Sequence, residues 1–460
     1  MASTYLTTGT MGSATSRTKF TISFWAKRGS LGEEYLFFAY NASSLANFKL
    51  QIGTVSDDTL EIRAVDGGTQ HTRLVTNRKF RDTNAWYHFY FAFDTTQGTA
   101  SDRIKIYING VQETSLSTST YPNQNQDFAL GSSDYTIKIG SWGSGGNYWS
   151  GSMSHYYYVD GSVIAHTQFG STDSTTGEWK INTAPTISSY GNEGFLILKD
   201  GNTVTDQSPN SNNLTVGGGT LTKTEDNPSN VFATLNILAS SPTPNFSNGN
   251  TSIYANAQNH WNQLTPATFV MPSGGKYYWE VKNTSSSHPN YINPGFMNAN
   301  YYNNVLLNAN LPGNVYDANN GFWNGMQGGG DNNLYSVYRA GTSSNITVND
   351  SFVNGDILSF AVDLDNRKAW LGRNGTYIQS GNPSNGTNET WSTADIDANT
   401  DYVPGIAHYY TNPSASFNFG NGYFGTTAVA SAGTNASGNG IFEYDVPTGF
   451  TALSTKGLNL

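Results

Sequence analysis

Phe20-Thr21-Ile22-Ser23-Phe24-Trp25-Ala26 places Phe20, Ile22, Phe24 and Ala26 at alternate positions. A period of two puts all four on one face, the pattern of a β-strand with one buried side. The same pattern recurs outward from this stretch. Ile104-Lys105-Ile106-Tyr107-Ile108 alternates and ends in Asn109-Gly110, a pair that favours a tight hairpin turn because both residues tolerate positive φ. Residues 135–140 and 154–161 continue the series, and 277–281, 357–363 and 415–420 extend it into the second half. Residues 368–373 lead into a second Asn-Gly pair, Asn374-Gly375. No amphipathic segment of period 3.6 reaches about 11 residues, so the pattern predicts an all-β chain of antiparallel β-sandwiches.

Composition narrows the function. The 460 residues carry 23 Lys+Arg and 33 Asp+Glu, a net charge of −10, and only 12% are charged. Globular chains average about 25%. Polarity comes instead from Asn, Ser, Thr and 49 Gly, while aromatic residues reach 13%. Disordered chains have few aromatics and much charge, so disorder is excluded. No Lys/Arg cluster offers a phosphate-tracking surface, so no nucleic-acid partner is expected. No apolar run approaches about 18 residues, so no membrane insertion is expected. The absence of cysteine excludes thiolate catalysis, disulfide scaffolds and Cys-ligated zinc. Met1-Ala2-Ser3-Thr4-Tyr5-Leu6 has neither the basic nor the apolar region of a secretory signal, which predicts synthesis and release from a cytoplasm.

Asparagine marks a division. Residues 1–200 hold 10 Asn and residues 201–460 hold 43. Between the two compositions lies a stretch of turn-forming residues, including Ser208-Pro209-Asn210-Ser211 and Gly217-Gly218-Gly219. The sequence therefore predicts a first domain over 1–185, a connector over 186–240 and a second domain over 241–460.

The first domain resembles the concanavalin A-like, or laminin G-like, jelly rolls. The residues that carry the likeness are Phe20 to Lys27, Trp86-Tyr87-His88-Phe89, Asp94-Thr95-Thr96, Arg103 to Val111, Ile137 to Gly140 and Trp149-Ser150-Gly151-Ser152-Met153. The second domain resembles SPRY (B30.2-like) sandwiches. Here Gly275 to Val281 matches the opening strand, and Gly355 to Asp365 with Ala369-Trp370-Leu371 and Asn374-Gly375 matches the central hairpin. The connector piece 226–236 and the tail Phe417-Asn418-Phe419-Gly420 … 447–455 are similar to segments of SPRY-bearing proteins from marine bacteriophages. The tandem resembles phage virion proteins of the tail-fibre, receptor-binding or capsid-attached type. It departs from them in the Asn-rich 283–350 insertion.

The resemblance implies a virion location and a non-enzymatic structural or adhesion role as fibre, spike or capsid appendage. The partners it implies are other virion proteins and a host-surface glycan or protein bound through the loops of the C-terminal domain, with a homo-oligomer as the assembled form. A capsid or tail decoration subunit without receptor binding is an alternative, and a polysaccharide depolymerase a weaker one. Against hydrolysis, the Glu-x-Asp-x-x-Glu triplet of jelly-roll glucanases does not occur, and Glu33-Glu34 point to opposite faces if extended. No Gly-x-Ser-x-Gly elbow joins a strand to a helix. No cofactor is expected. Laminin G-like domains often hold one structural Ca²⁺ through Asp and carbonyl oxygens, and Asp57-Asp58, Asp94, Asp102 and Asp134 are available, but no metal site is assigned. His71, His88, His155, His166, His260, His288 and His408 are scattered.

Trp25, Trp86, Trp279 and Trp370 lie inside strand motifs and are expected in the core. Aromatics in Gly- and Asn-rich loops are the ligand-binding candidates, because such loops supply rigid contact area with adaptable hydrogen bonding. They are Trp142, Tyr148 and Trp149 in the first domain and Tyr301, Tyr302, Trp323, Tyr335, Tyr338 and Trp391 in the second. Phe322 stands beside Trp323 in the same setting. Packing of these rings between copies of an oligomer is the alternative.

Overall fold

The computed structural model describes residues 3–41, 46–53, 57–128, 130–131, 134–143, 145–199, 203–240, 244–255, 263–286, 291–300, 352–408 and 412–459, with backbone alone at 263, 408 and in strands within 322–348. The chain divides into two compact units, Met1–Lys223 and Thr224–Leu460.

Two antiparallel sheets form the first unit. The larger has eight strands in the order Leu116–Thr120, Thr69–Lys79, Thr59–Asp66, Ala46–Ile52, Glu34–Asn41, Thr136–Ile139, Tyr5–Thr7 and Thr215–Gly218. The smaller has six, in the order Phe195–Ile197, Gly151–Asp160, Lys19–Arg28, Tyr87–Asp94, Ile104–Ile108 and Val111–Gln112. Phe20, Ile22, Phe24 and Ala26 all enter the core between the sheets, joined by Phe89, Phe91 and Phe93 from the neighbouring strand. Ile104, Ile106 and Ile108 complete that face, and Asn109 (φ 49°) with Gly110 (φ 76°) makes the expected turn.

Residues 161–190 form a third layer. They carry Phe169 onto the outward face of the six-stranded sheet, where it meets Tyr90, Tyr157 and Leu196. The hairpin Gly170–Thr172 with Trp179–Ile181 belongs to this layer. Trp179 lies directly over the turn at Gly110, where a Cβ would fall 2.2 Å from its ring.

The region expected as a connector is not a separate element. Phe195–Ile197 pairs with Tyr156–Tyr158, and Thr215–Gly218 pairs with Tyr5–Thr7, so both belong to the first unit. Phe232, Ala233 and Leu235 are buried in the cores of the second unit. The turn-rich composition is real, but short buried strands run between the turns.

The second unit is also a sandwich. Its larger sheet runs Asn245–Ser247, Ser252–Tyr254, Ser414–Asn418, Lys276–Asn283, Ile357–Asp363, Lys368–Arg373 and Thr376–Tyr377. Thr451–Ala452 adds a parallel pairing to Tyr277–Tyr278. The facing sheet contains Gln263–Pro266, Tyr402–His408, Ile292–Asn298 and Phe322–Asn324. Tyr277, Trp279 and Val281 point into the core, and Trp370 on the opposite face is covered by Phe442, Val446 and Phe450 from the C-terminal tail. Trp25, Trp86, Trp279 and Trp370 are all buried, as expected for strand aromatics.

Candidate functional site: an aromatic loop at the edge of the eight-stranded sheet

Alternation places the site. In Thr136–Ile139, Ile137 and Ile139 enter the core, so Lys138 faces outward. In Tyr5–Thr7, Leu6 enters the core and Tyr5 faces the same way as Lys138. The Lys138 Nζ lies 5.1 Å from the Tyr5 ring centre and 5.8 Å from that of Tyr40, within reach of cation–π attraction to both. The same ammonium donates a hydrogen bond to the Gly143 carbonyl and so ties the strand to the loop that follows it. Partial burial lowers the Lys138 pKa from its ordinary value.

That loop is fixed by its own backbone. Trp142 N donates to Gly146 O over 3.1 Å and Gly145 N donates to Trp142 O over 3.0 Å. Trp149 N closes its base on Gly140 O at 2.9 Å. Gly145 and Gly146 have φ of 90° and 122°, a region that favours glycine. Trp142 is held 45% exposed. Tyr148 is half-buried and stacks on Tyr5 at 6.1 Å with 28° between the planes. Tyr5 in turn rests on Gly217, whose missing side chain leaves room for the ring. The result is a tied loop carrying one exposed indole, with Tyr148 stacked on Tyr5 and the Lys138 ammonium over the Tyr5 ring.

The other candidates divide. Trp149 is 7% exposed and part of the first unit's core. Trp391 is fully buried against Phe296 and Phe360 in the second core. Both are corrections to the sequence reading: each follows a Gly- or Thr-rich turn yet enters a sheet-bound position. Ala369 pairs with Trp391 by a backbone bridge, which turns that ring inward. Tyr301 and Tyr302 lie outside the described residues. Trp323, Tyr335 and Tyr338 lie in strands whose side chains are outside them.

Four of the five acids considered for calcium have other partners, Asp57 accepting from Thr59. Asp58 accepts from Arg28 and Arg81, Asp94 from Thr96 and Gln97, and Asp102 pairs with Lys105. Among the described residues no three His, Asp or Glu side chains converge on one point. Sequence reasoning missed Tyr5, Tyr40 and Lys138. The alternation around Lys138 was the signal for it, whereas nothing local brings Tyr5 beside Tyr148, because that contact spans 143 positions and depends on the pairing of Leu6 with Ile139.

Residues 1–163 match the family model of the concanavalin A-like lectin/glucanases superfamily, about a third of the chain. No curated protein matches the sequence. Among solved structures, the SPRY domain of human HERC1 is 15% identical with a TM-score of 0.28, covering 40% of this chain and 96% of that one. A native heptameric SAP-like pentraxin from Limulus polyphemus is 15% identical with a TM-score of 0.30, covering 47% and 90%. Domain 4 of AbnA, a GH43 extracellular arabinanase from Geobacillus stearothermophilus solved with arabinotriose, is 16% identical with a TM-score of 0.24, covering 32% and 64%. The chain is all-β, and its N-terminal 163 residues carry a concanavalin A-like fold.

Proposed function

We propose that this chain is a non-enzymatic bacteriophage virion protein that binds a host-surface glycan through the Trp142–Tyr148 loop of its first unit. The observation that supports the binding part most is the 45% exposure of Trp142 on a loop tied by backbone hydrogen bonds at Trp142, Gly145 and Trp149. A rigid exposed ring loses little entropy when the C–H face of a sugar packs on it. Lys138, held over the Tyr5 ring, supplies a donor for hydroxyl or carboxylate groups of the same sugar. The non-enzymatic part is supported by the structural use of two buried carboxyls: Glu34 is paired with Arg28, and Glu280 accepts four hydrogen bonds. The virion part rests on the sequence resemblance of the tandem to phage proteins. A homo-oligomer fits this reading, because multivalency raises weak sugar affinity.

A glycan array probed with the full chain, followed by host-cell binding of wild type and Trp142→Ala, tests the reading. Saturable binding lost in the variant is the expected result. No binding by the assembled oligomer to either glycans or cells overturns adhesion and leaves a decoration role, which electron microscopy of virions would place.

A further inference from the structure

The second unit holds a cleft of about 460 Å³ on the outward side of its larger sheet. Tyr278, Gly372, Gly375 and Tyr377 line it from the sheet. Glu443, Tyr444 and Asp445 line it from the C-terminal tail. The two glycines let rings approach the backbone: a Cβ on Gly375 would fall 2.8 Å from the Tyr444 ring, and one on Gly372 would touch the Tyr377 ring at 3.4 Å.

Glu280 anchors this wall. Its carboxylate is fully buried and accepts from the Tyr278 hydroxyl at 2.9 Å and from Asn418 Nδ2 at 3.3 Å. It also accepts from the backbone N–H groups of Glu443 and Tyr444, each at 2.9 Å. The tail is thereby fixed in place before any ligand arrives. Glu443 accepts one hydrogen bond, from Ala430 N through Oε2, and Asp445 accepts from Thr434 N and Oγ1 through Oδ1. Glu443 Oε1 and Asp445 Oδ2 have no donor among the described residues. The Tyr377 hydroxyl is buried and has no hydrogen-bond partner among the described residues. No lysine, arginine or histidine among the described residues lines the cleft.

We propose that this cleft binds an organic cation, an alkylammonium or guanidinium group. Two carboxylates at its rim, Glu443 and Asp445, set a negative potential that no lining cation among the described residues offsets. Tyr278, Tyr377 and Tyr444 add ring faces that attract positive charge. An ammonium carries N–H donors of the kind that Glu443 Oε1, Asp445 Oδ2 and the Tyr377 oxygen lack among the described residues. An anion meets the opposite field. The cation comes either from a Lys or Arg side chain of a protein partner or from a small free amine.

Calorimetric titration of the full chain with butylamine, N-acetyl-arginine amide and a lysine-containing peptide, against methyl glucoside as a neutral control, tests the proposal. Saturable binding of the cations, weakened by salt, is the expected result. Glu443→Gln with Asp445→Asn keeps each side chain's oxygen for its backbone donor and removes both charges, so affinity should fall about tenfold or more. Tyr377→Phe should also weaken binding, and circular dichroism checks that both variants fold. A peptide that binds more tightly than butylamine identifies a protein partner; equal affinities identify a small amine. The proposal is overturned if no cation binds saturably, if both variants bind like wild type, or if methyl glucoside binds as tightly. Trp142→Ala should leave this binding unchanged, so its outcome is independent of the glycan reading.

Discussion

Trp179 Nε1 donates a hydrogen bond to His88 Nδ1 over 3.0 Å. Indole N–H only donates, so Nδ1 is the acceptor and the imidazole proton lies on Nε2, 2.9 Å from Ser23 Oγ. His88 is fully buried between the rings of Trp25 and Trp179. Burial, with a smaller contribution from His166, pushes its pKa down to about 3. The unfolded chain takes up this proton near the ordinary value of 6.5 and the folded chain does not. Stability from this site is therefore present above about pH 6.5 and is lost as pH falls toward 3. His88→Leu should remove that acid dependence while costing about 1–3 kcal/mol at neutral pH for the stranded Trp179 and Ser23 partners. Urea unfolding across the pH range measures both; an unchanged acid slope in the variant would refute the assignment.

Arg28 ties three loops together from inside the first unit. Its side chain is 1% exposed and donates to Glu34, Asp58 and the carbonyls of Gly32 and Phe80. Burial raises the Glu34 pKa to about 7 even with Arg28 beside it. Removing only the cation leaves two carboxylates without their main partner, which costs about 3–5 kcal/mol in comparable buried pairs. Arg28→Met should show that loss, and Arg28→Met with Glu34→Met should recover part of it. Strict additivity in this double-mutant cycle would show that the two side chains do not interact.

Glu193 has the opposite pH sign to His88. It is 3% exposed, and neither carboxylate oxygen has a hydrogen-bond partner among the described residues. Burial, aided by repulsion from Asp160, raises its pKa to about 7. The folded chain then holds a proton that the unfolded chain releases near 4.5. Stability from this site is complete below that value and is lost as pH rises through about 7. Glu193→Gln should match wild type in mild acid and exceed it by ~1–2 kcal/mol above neutral pH, after discounting for partial solvation. Thermal melts across this range decide it; a variant less stable than wild type at every pH would show that the carboxylate has a favourable partner.

Strand positions were legible because period-two alternation is a local property. Ile357–Asp363 and Lys368–Arg373 occupy the expected residues, and Arg373 pairs with Thr376 across Asn374-Gly375. The connector was misjudged because Phe195–Ile197 and Thr215–Gly218 are too short to show alternation, and their partners lie far away in sequence. Loop composition separated ring from ring no better than chance of position. Trp142 and Trp149 share one glycine-rich stretch, yet one is exposed and the other joins the core, because Trp149 N bonds back to Gly140 O just before the strand that begins at Gly151. The buried Glu280 was invisible for the same reason: its donors come from residues 418, 443 and 444.

This difference between Trp142 and Trp149 gives the sharpest test of the glycan reading. Truncating an exposed ring on a self-supporting loop removes contact area for a ligand and almost nothing from the fold, so Trp142→Ala should change stability by less than about 0.5 kcal/mol. Trp149 is packed into the core, and Trp149→Ala should cost about 3–5 kcal/mol. If the loop is the contact, Trp142→Ala should lower glycan affinity about tenfold or more, the loss expected for a central aromatic anchor. Lys138→Met should lower it less, since Tyr5 and Tyr148 remain stacked without the ammonium. Affinity and urea unfolding measured on the same preparations separate the two effects. A Trp142→Ala protein that keeps full stability and full affinity would remove the loop from the binding surface.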